Sequence, residues 1–112
     1  MMPKPPKEFC IDSFTYKKYT GENNWSEPQY DKEQTISNCR IDRGAEYTTV
    51  ATGKQLLYNA VIFCYEGITT PLPEFTTQSV VTFDNQEHVI TKVIPIYEAY
   101  KKTLYSYELE VV

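Results

Sequence analysis

No window of a dozen residues in this chain places apolar side chains at the 3.6-residue spacing of an amphipathic helix. Residues 105–111 instead alternate strictly between apolar and polar, which is the period of a strand with one buried face. Tyrosine occurs 10 times, and Tyr, Thr and Val all favour strands. We therefore expect an all-β chain with little helix.

Turn residues divide the chain into about six antiparallel strands. The expected strands cover residues 9–19, a polar stretch ending near residue 43, and then 56–65, 79–83, 86–94 and 105–111. Asp84 and Asn85 should form the tip of a hairpin, because both residues accept positive φ. Pro95 should end regular pairing, and residues 97–102 are expected to form a single helical turn.

A chain of 112 residues suits one domain with one core. We expect residues 9–112 to form a small antiparallel β-barrel or rolled sheet with a long projecting loop, since closure removes exposed strand edges. Residues 1–8, MMPKPPKE, contain three prolines and no apolar run, so we expect a flexible, polyproline-like arm and not a signal peptide or membrane anchor.

Composition excludes several classes of function. The apolar run 60–65 is far shorter than the roughly 20 residues of a membrane span, so we expect a soluble protein without a membrane partner. The formal charge of −4 disfavours a dedicated nucleic-acid binder. Cys10, Cys39 and Cys64 are widely spaced, which disfavours a disulfide framework or zinc site and favours a reducing compartment.

No catalytic motif is present. His88 is the only histidine, and an isolated histidine near apolar residues is most often structural. There is no nucleophile elbow, and the aspartates lack the spacing of a calcium loop. We predict no catalytic residues, no metal site and no cofactor.

The segment 56–65 is apolar on both faces, one of which carries Leu57, Val61, Phe63 and Tyr65. An antiparallel strand usually leaves one face in water, so the second face should be covered by another element or by another subunit. Trp25 and Tyr30, beside the polar turn at 21–24, are further candidates for a subunit contact. Together with Tyr16 and Tyr19 they could instead form a ligand-binding platform.

Several segments together carry a family resemblance: SFTYKKYTG at 13–21, CRID at 39–42, LLYNAVIFCY at 56–65, SVVTFDNQEHVITKV at 79–93, PIYE at 95–98 and the terminal LYSYELEVV. In order and spacing they resemble minor capsid proteins encoded in the head-morphogenesis region of tailed phages and prophages of Gram-positive bacteria. Such proteins are similar in arrangement to head-tail stoppers, also called head-completion proteins.

The resemblance implies a structural virion protein, assembled in the bacterial cytoplasm, that forms a ring of about 12 copies below the portal and adaptor. The ring would complete the head, join it to tail proteins and retain packaged double-stranded DNA without sequence-specific binding. The loop 43–55 would project into the channel. Its gating residues would be Glu46, Tyr47, Thr48, Thr49, Val50, Ala51, Thr52 and Gly53.

Other functions stay open at this point. An adaptor or a tail-completion protein would fit the same resemblance, and a free-standing Tyr-rich ligand-binding module would use the aromatic platform. An enzyme would depend on His88. The subunit contacts are predicted at Leu57, Val61, Phe63, Tyr65, Trp25 and Tyr30.

Overall fold

A computed structural model describes residues 4–112, which form ten strands and a 3₁₀ turn at Lys7–Phe9. The strands are β1 Asp12–Lys17, β2 Tyr19–Glu22, β3 Pro28–Tyr30, β4 Gln34–Asp42, β5 Glu46–Val50, β6 Gly53–Tyr58, β7 Ala60–Tyr65, β8 Val80–Phe83, β9 Gln86–Tyr97 and β10 Leu104–Val111. Six of them close into an antiparallel barrel in the order β1-β4-β7-β10-β9-β8, because β8 also pairs with β1. The expected small β-barrel is confirmed. Strands β2 and β3, and likewise β5 and β6, form separate two-stranded hairpins.

The barrel core is aliphatic along the strands and aromatic at one end. Alternating side chains of the barrel strands point inward and are fully buried, among them Ile36, Ile62, Val81, Ile90 and Leu109. Each such side chain contributes about 1.5–3 kcal/mol through removal of apolar surface from water.

Phe75 closes one end of the barrel. It lies on the loop between β7 and β8, and its ring contacts Phe14, Tyr16 and Tyr107 at centroid distances of 6.2, 5.0 and 5.4 Å. We call this end, where β1 finishes and β10 begins, the plug end. The opposite end, where β4 finishes and β7 begins, is the arm end.

A buried polar network holds the same loop to β1. Ser79 is fully buried, and its hydroxyl oxygen accepts a hydrogen bond from the Tyr19 N–H at 2.9 Å. The Ser79 hydroxyl also bonds to the Thr76 hydroxyl at 2.7 Å, and the Thr76 N–H donates to the Tyr16 hydroxyl oxygen at 3.1 Å. These bonds satisfy polar groups that would be costly to bury alone.

The hairpin of β8 and β9 forms as predicted. Phe83 pairs with Gln86, and the two residues between them, Asp84 and Asn85, have φ values of 53° and 60°. Positive φ at both positions matches a two-residue turn whose twist suits the flanking strands.

Two local predictions are wrong. Strand β9 continues through Pro95 to Tyr97, because in the described chain β8 accompanies β9 only as far as Val89. At that open edge the missing proline N–H costs no ladder bond. The segment expected as a helical turn ends β9 at Tyr97 and then forms a hairpin connection to β10, in which the Glu98 N–H donates to the Thr103 carbonyl at 3.0 Å and the Lys101 N–H donates to the Glu98 carbonyl at 3.4 Å.

Arg43 braces the arm end. Its Nε donates to Asp84 Oδ2 at 2.6 Å and its Nη2 to Asp12 Oδ1 at 3.1 Å, while Asp12 Oδ2 accepts the Ile41 N–H at 3.0 Å. The guanidinium therefore joins the end of β4 to the start of β1 and to the β8–β9 turn. Hydrogen bonding to Arg43 holds the pKa of Asp84 below its usual value, and the two carboxylates raise the pKa of Arg43.

Replacing Phe75 by Ala should destabilise the barrel by about 3–5 kcal/mol, because the substitution removes a buried ring at a closed end. The free energy of unfolding in urea measures this loss. Phe9→Ala is the matched control: Phe9 is exposed, so its removal should change stability by less than about 0.5 kcal/mol. Equal effects of the two substitutions would contradict the role of Phe75 as a plug.

Arg43→Ala should loosen the connection to β5 with little effect on global stability, because solvent screens exposed ion pairs and makes their net contribution small. Amide hydrogen exchange at residues 42–46 and 84–86 should accelerate, and Lys54→Ala should leave these amides unchanged. An unchanged exchange pattern in Arg43→Ala would show that the brace is not needed.

The same brace should depend on pH. Because the folded-state pKa of Asp84 is depressed, the stabilising contribution of this ion pair is fully present above the ordinary value of 3.8 and is lost as the pH falls through the folded-state pKa. The protection factors of the wild-type amides at residues 84–86, which correct for the intrinsic pH dependence of exchange, should therefore fall toward those of Arg43→Ala in acid. If the Arg43→Ala variant responded equally to acid, the response would have to come from groups other than this ion pair.

Candidate functional site

Strands β5 and β6 form a projecting hairpin, here called the arm (residues 46–58). In the described chain they pair with each other and with no other strand, through registers such as Thr48 with Gln55 and Thr49 with Lys54. All of their residues except Tyr58 are exposed. The segment predicted as a loop is thus folded into strands, with the chain reversing at Ala51 and Thr52 and a positive φ of 132° at Gly53.

The arm carries large apolar side chains that the chain does not cover. Tyr47 is 56% exposed and Leu57 is 47% exposed, and Val50 and Leu56 are exposed as well. An isolated two-stranded hairpin is marginally stable in water. Several large apolar side chains exposed on one short element suit a surface that is buried in an assembly.

The pairing distributes these apolar groups over both faces of the arm. Tyr47 lies opposite Leu56, so their side chains share one face, and alternation places Val50 on the other. Glu46 and Lys54 are the arm's only charged residues, which gives it a formal charge of zero. An element of this kind has no basic stripe with which to hold phosphates.

The segment 56–65 is not one continuous strand. Asn59 separates β6 from β7 and donates its N–H to the Val111 carbonyl at 2.7 Å. Beyond this break, Ala60, Ile62 and Cys64 point into the core. The apolar run therefore serves two purposes, since its first part lies on the arm and its second part builds the barrel.

The predicted contact residues on this segment have different surroundings. Leu57 lies on the arm, and Val61 and Phe63 are partly buried on the outside of β7. Tyr65 is only 9% exposed and packs edge to face on Tyr105 at 6.0 Å. The chain itself thus covers Tyr65, whereas Leu57 remains available to a neighbour.

Trp25 and Tyr30 lie on the β2–β3 hairpin. Trp25 is 79% exposed at the turn, which is fixed because the Asn23 side-chain oxygen accepts the N–H groups of Trp25 and Glu27 at 2.8 and 3.0 Å. Tyr30 packs edge to face on Tyr19 at 6.0 Å. Tyr16 is fully buried in the core, so the four-residue aromatic platform is not formed.

His88 and the three cysteines have packing roles in this fold. The His88 ring stacks on Phe83 at 4.4 Å with an interplanar angle of 10°. All three cysteines are free and buried, and burial raises the pKa of Cys39 to about 12 and that of Cys64 well above its usual value. Thiols in this state stay protonated and are poor nucleophiles.

Within residues 4–112, no group of three or more His, Cys, Asp or Glu side chains is placed to hold a metal ion. Nor does that part of the chain contain a helix that is long and apolar enough to cross a membrane.

Only part of the predicted proline-rich segment at residues 1–8 can be described, because residues 1–3 lie outside the described residues. Pro6 has φ −57° and ψ 143°, the values of a polyproline helix. Lys4 forms an ion pair with Glu66 at 3.4 Å and lies 5.6 Å from the centroid of the Tyr105 ring. The flexibility of residues 1–8 stays a prediction.

Two residues with notable positions in the structure, Arg43 and Tyr100, are not identified from the sequence. The partners of Arg43 are 31 and 41 positions away, at Asp12 and Asp84, so no local pattern reveals the brace. Tyr100 is 97% exposed at the connection between β9 and β10. Tyr100 reaches this position because β9 extends to Tyr97, whereas the sequence pattern predicts that regular pairing ends at Pro95.

Comparisons with known proteins identify a family for this chain. The family model described as minor capsid protein matches residues 6–111. Uncharacterized protein ORF5 of Lactococcus phage LL-H is 25% identical over 83 residues, which cover 71% of this chain and 70% of the relative. No solved structure matches. Because the family match spans nearly the whole described chain, the protein belongs to the minor capsid protein family of phage structural proteins.

Proposed function

We propose that this minor capsid protein is a non-enzymatic component of the phage neck. It forms a ring below the portal and adaptor, completes the head after packaging, joins it to tail proteins and retains the DNA. The observation that carries the proposal is the arm, an exposed hairpin of zero net charge whose root is braced at one end of a closed barrel. The family to which the chain belongs is one of virion components.

The arm is suited to pair with copies of itself. Within the described residues each of its strands has one edge without a strand neighbour, so β5 of one copy can pair with β6 of the next around a ring. Thr48, Thr49 and Val50 favour such pairing. Association would cover the apolar side chains that a single chain leaves in water.

A gate built this way would close reversibly. A hairpin that is marginal alone gains stability only when its neighbours are aligned, so DNA passing through the channel would displace the arms and its departure would let them pair again. The rigid barrel and the Arg43 brace would hold the roots in place during this movement.

The charge distribution favours a conduit over a DNA-binding protein. About 12 copies at −4 would give the ring a charge of about −48, which repels the phosphate backbone. The neutral arm would meet DNA without gripping it. Contacts with double-stranded DNA would therefore be steric and independent of sequence.

Shortening the arm should release DNA. Tyr47 and Leu56 face each other, so residues 48–55 can be replaced by the two-residue turn Asn-Gly without disturbing the root. Heads should still form and package DNA, but the DNA should become accessible to nuclease and empty heads should accumulate in electron micrographs. The control T48S/T49S keeps the arm length and should retain DNA. Full retention by the shortened protein would refute the gate.

The apolar groups of the arm should matter for assembly and not for folding. L56D/L57D should change the free energy of unfolding by less than about 0.5 kcal/mol, because both side chains are exposed. It should nevertheless reduce incorporation into particles, quantified by mass spectrometry of purified virions. Val89→Asp, at another exposed aliphatic position, is the control for added charge. Normal incorporation of L56D/L57D would argue against arm pairing.

A further inference from the structure

The plug end of the barrel carries two exposed tips. The hairpin tip comprises Glu22, the last residue of β2, and residues 23–27 between β2 and β3, with Trp25 at its turn. The loop tip comprises residues 98–103, between β9 and β10, with Tyr100 almost fully in solvent. Large exposed aromatics are favoured at protein interfaces.

The two tips arise from opposite sides of the barrel. The hairpin tip leaves the barrel between β1 and β4, and the loop tip leaves it between β10 and β9. In the closed order β1-β4-β7-β10-β9-β8 these two junctions are three strands apart, which is half the circumference. Both junctions lie at the plug end, because β1 finishes and β4, β10 start there.

The tips have opposite charge. The hairpin tip contains Glu22 and Glu27 and no basic residue, and all the residues from 22 to 27 are exposed. Nearby basic residues, Lys17, Lys18 and Lys32, lie at the base of the hairpin outside this tip.

The loop tip contains Lys101 and Lys102, both exposed, together with Glu98. The Glu98 carboxylate is engaged within the tip, since it accepts the Thr103 hydroxyl at 2.7 Å. Lys101 interacts electrostatically with Glu98, but within residues 4–112 neither lysine forms an ion pair, so both ammonium groups can reach an acidic partner.

We infer that the hairpin tip of one copy binds the loop tip of the next copy. This inference rests on the proposed ring and identifies its lateral contact outside the arm. A contact between two different patches on opposite flanks is heterologous, and a heterologous contact closes into a ring when the rotation permits. Lys101 and Lys102 would pair with Glu22 and Glu27, and a lysine over the Trp25 indole would add a cation–π contact.

Charge reversal tests the contact in both directions. E22K/E27K makes both tips basic, and K101E/K102E makes both tips acidic. Each variant alone should self-associate at least about tenfold more weakly than the wild-type chain in sedimentation equilibrium, because like charges then face each other. Mixed in equal amounts they should associate with each other, since every basic tip then meets an acidic one.

Matched controls separate this effect from net charge. E8K/E87K and K7E/K92E change the charge by the same amounts at exposed positions away from the tips, and both should associate like the wild-type chain. Circular dichroism confirms that all variants are folded. Association of both tip variants at wild-type strength, or a wild-type chain and a mixture that stay monomeric, would overturn the inference.

Different results would contradict the tip contact and the proposed function. If reversed tips leave ring formation in particles intact while the shortened arm still leaks DNA, the tip contact is wrong and the neck function stands. If the mixed variants associate but the shortened arm retains DNA, the lateral contact stands and the gate is wrong.

Discussion

Pairing of β8 with β1 is the interaction on which the rest of this structure depends. It converts a six-stranded sheet into a closed barrel, so that the inward side chains of all six strands share one core. It also fixes the strand order around the circumference. The positions of the arm, the hairpin tip and the loop tip all follow from that order, because each one connects two neighbouring barrel strands.

Closure leaves a small barrel with two ends to seal, and the chain seals them differently. At the plug end, Phe75 fills the core and the Ser79 network satisfies the polar groups beneath it. At the arm end, Arg43 joins three connections through exposed ion pairs. The plug end thus depends on buried groups. At the arm end the Arg43 guanidinium also lies 5.8 Å from the centroid of the buried Phe83 ring, and its exposed ion pairs are individually weak, which suits the root of an element proposed to move.

Much of the fold is predictable because it depends on local signals. The alternation at 105–111 predicts β10, and two residues that accept positive φ predict the turn at Asp84 and Asn85. The failures arise where tertiary structure overrides a local signal. Pro95 is tolerated in β9 only because the adjacent edge is open, and the strand order, not the residue itself, decides which edge is open.

The features of the candidate site also separate into those that the sequence predicts and those that depend on tertiary structure. The sequence by itself determined that the chain is all-β, and it predicted a projecting segment of small and polar residues at 46–53, followed by an apolar run longer than one core face requires. Only the tertiary structure decided that this segment is a hairpin, that Tyr65 is covered while Leu57 is not, that Arg43 reaches Asp12 and Asp84, and that the two charged tips lie at the same end of the barrel. The physical reason is that periodicity and propensity act between residues close in sequence, whereas burial and ion pairing depend on which distant strands barrel closure brings together.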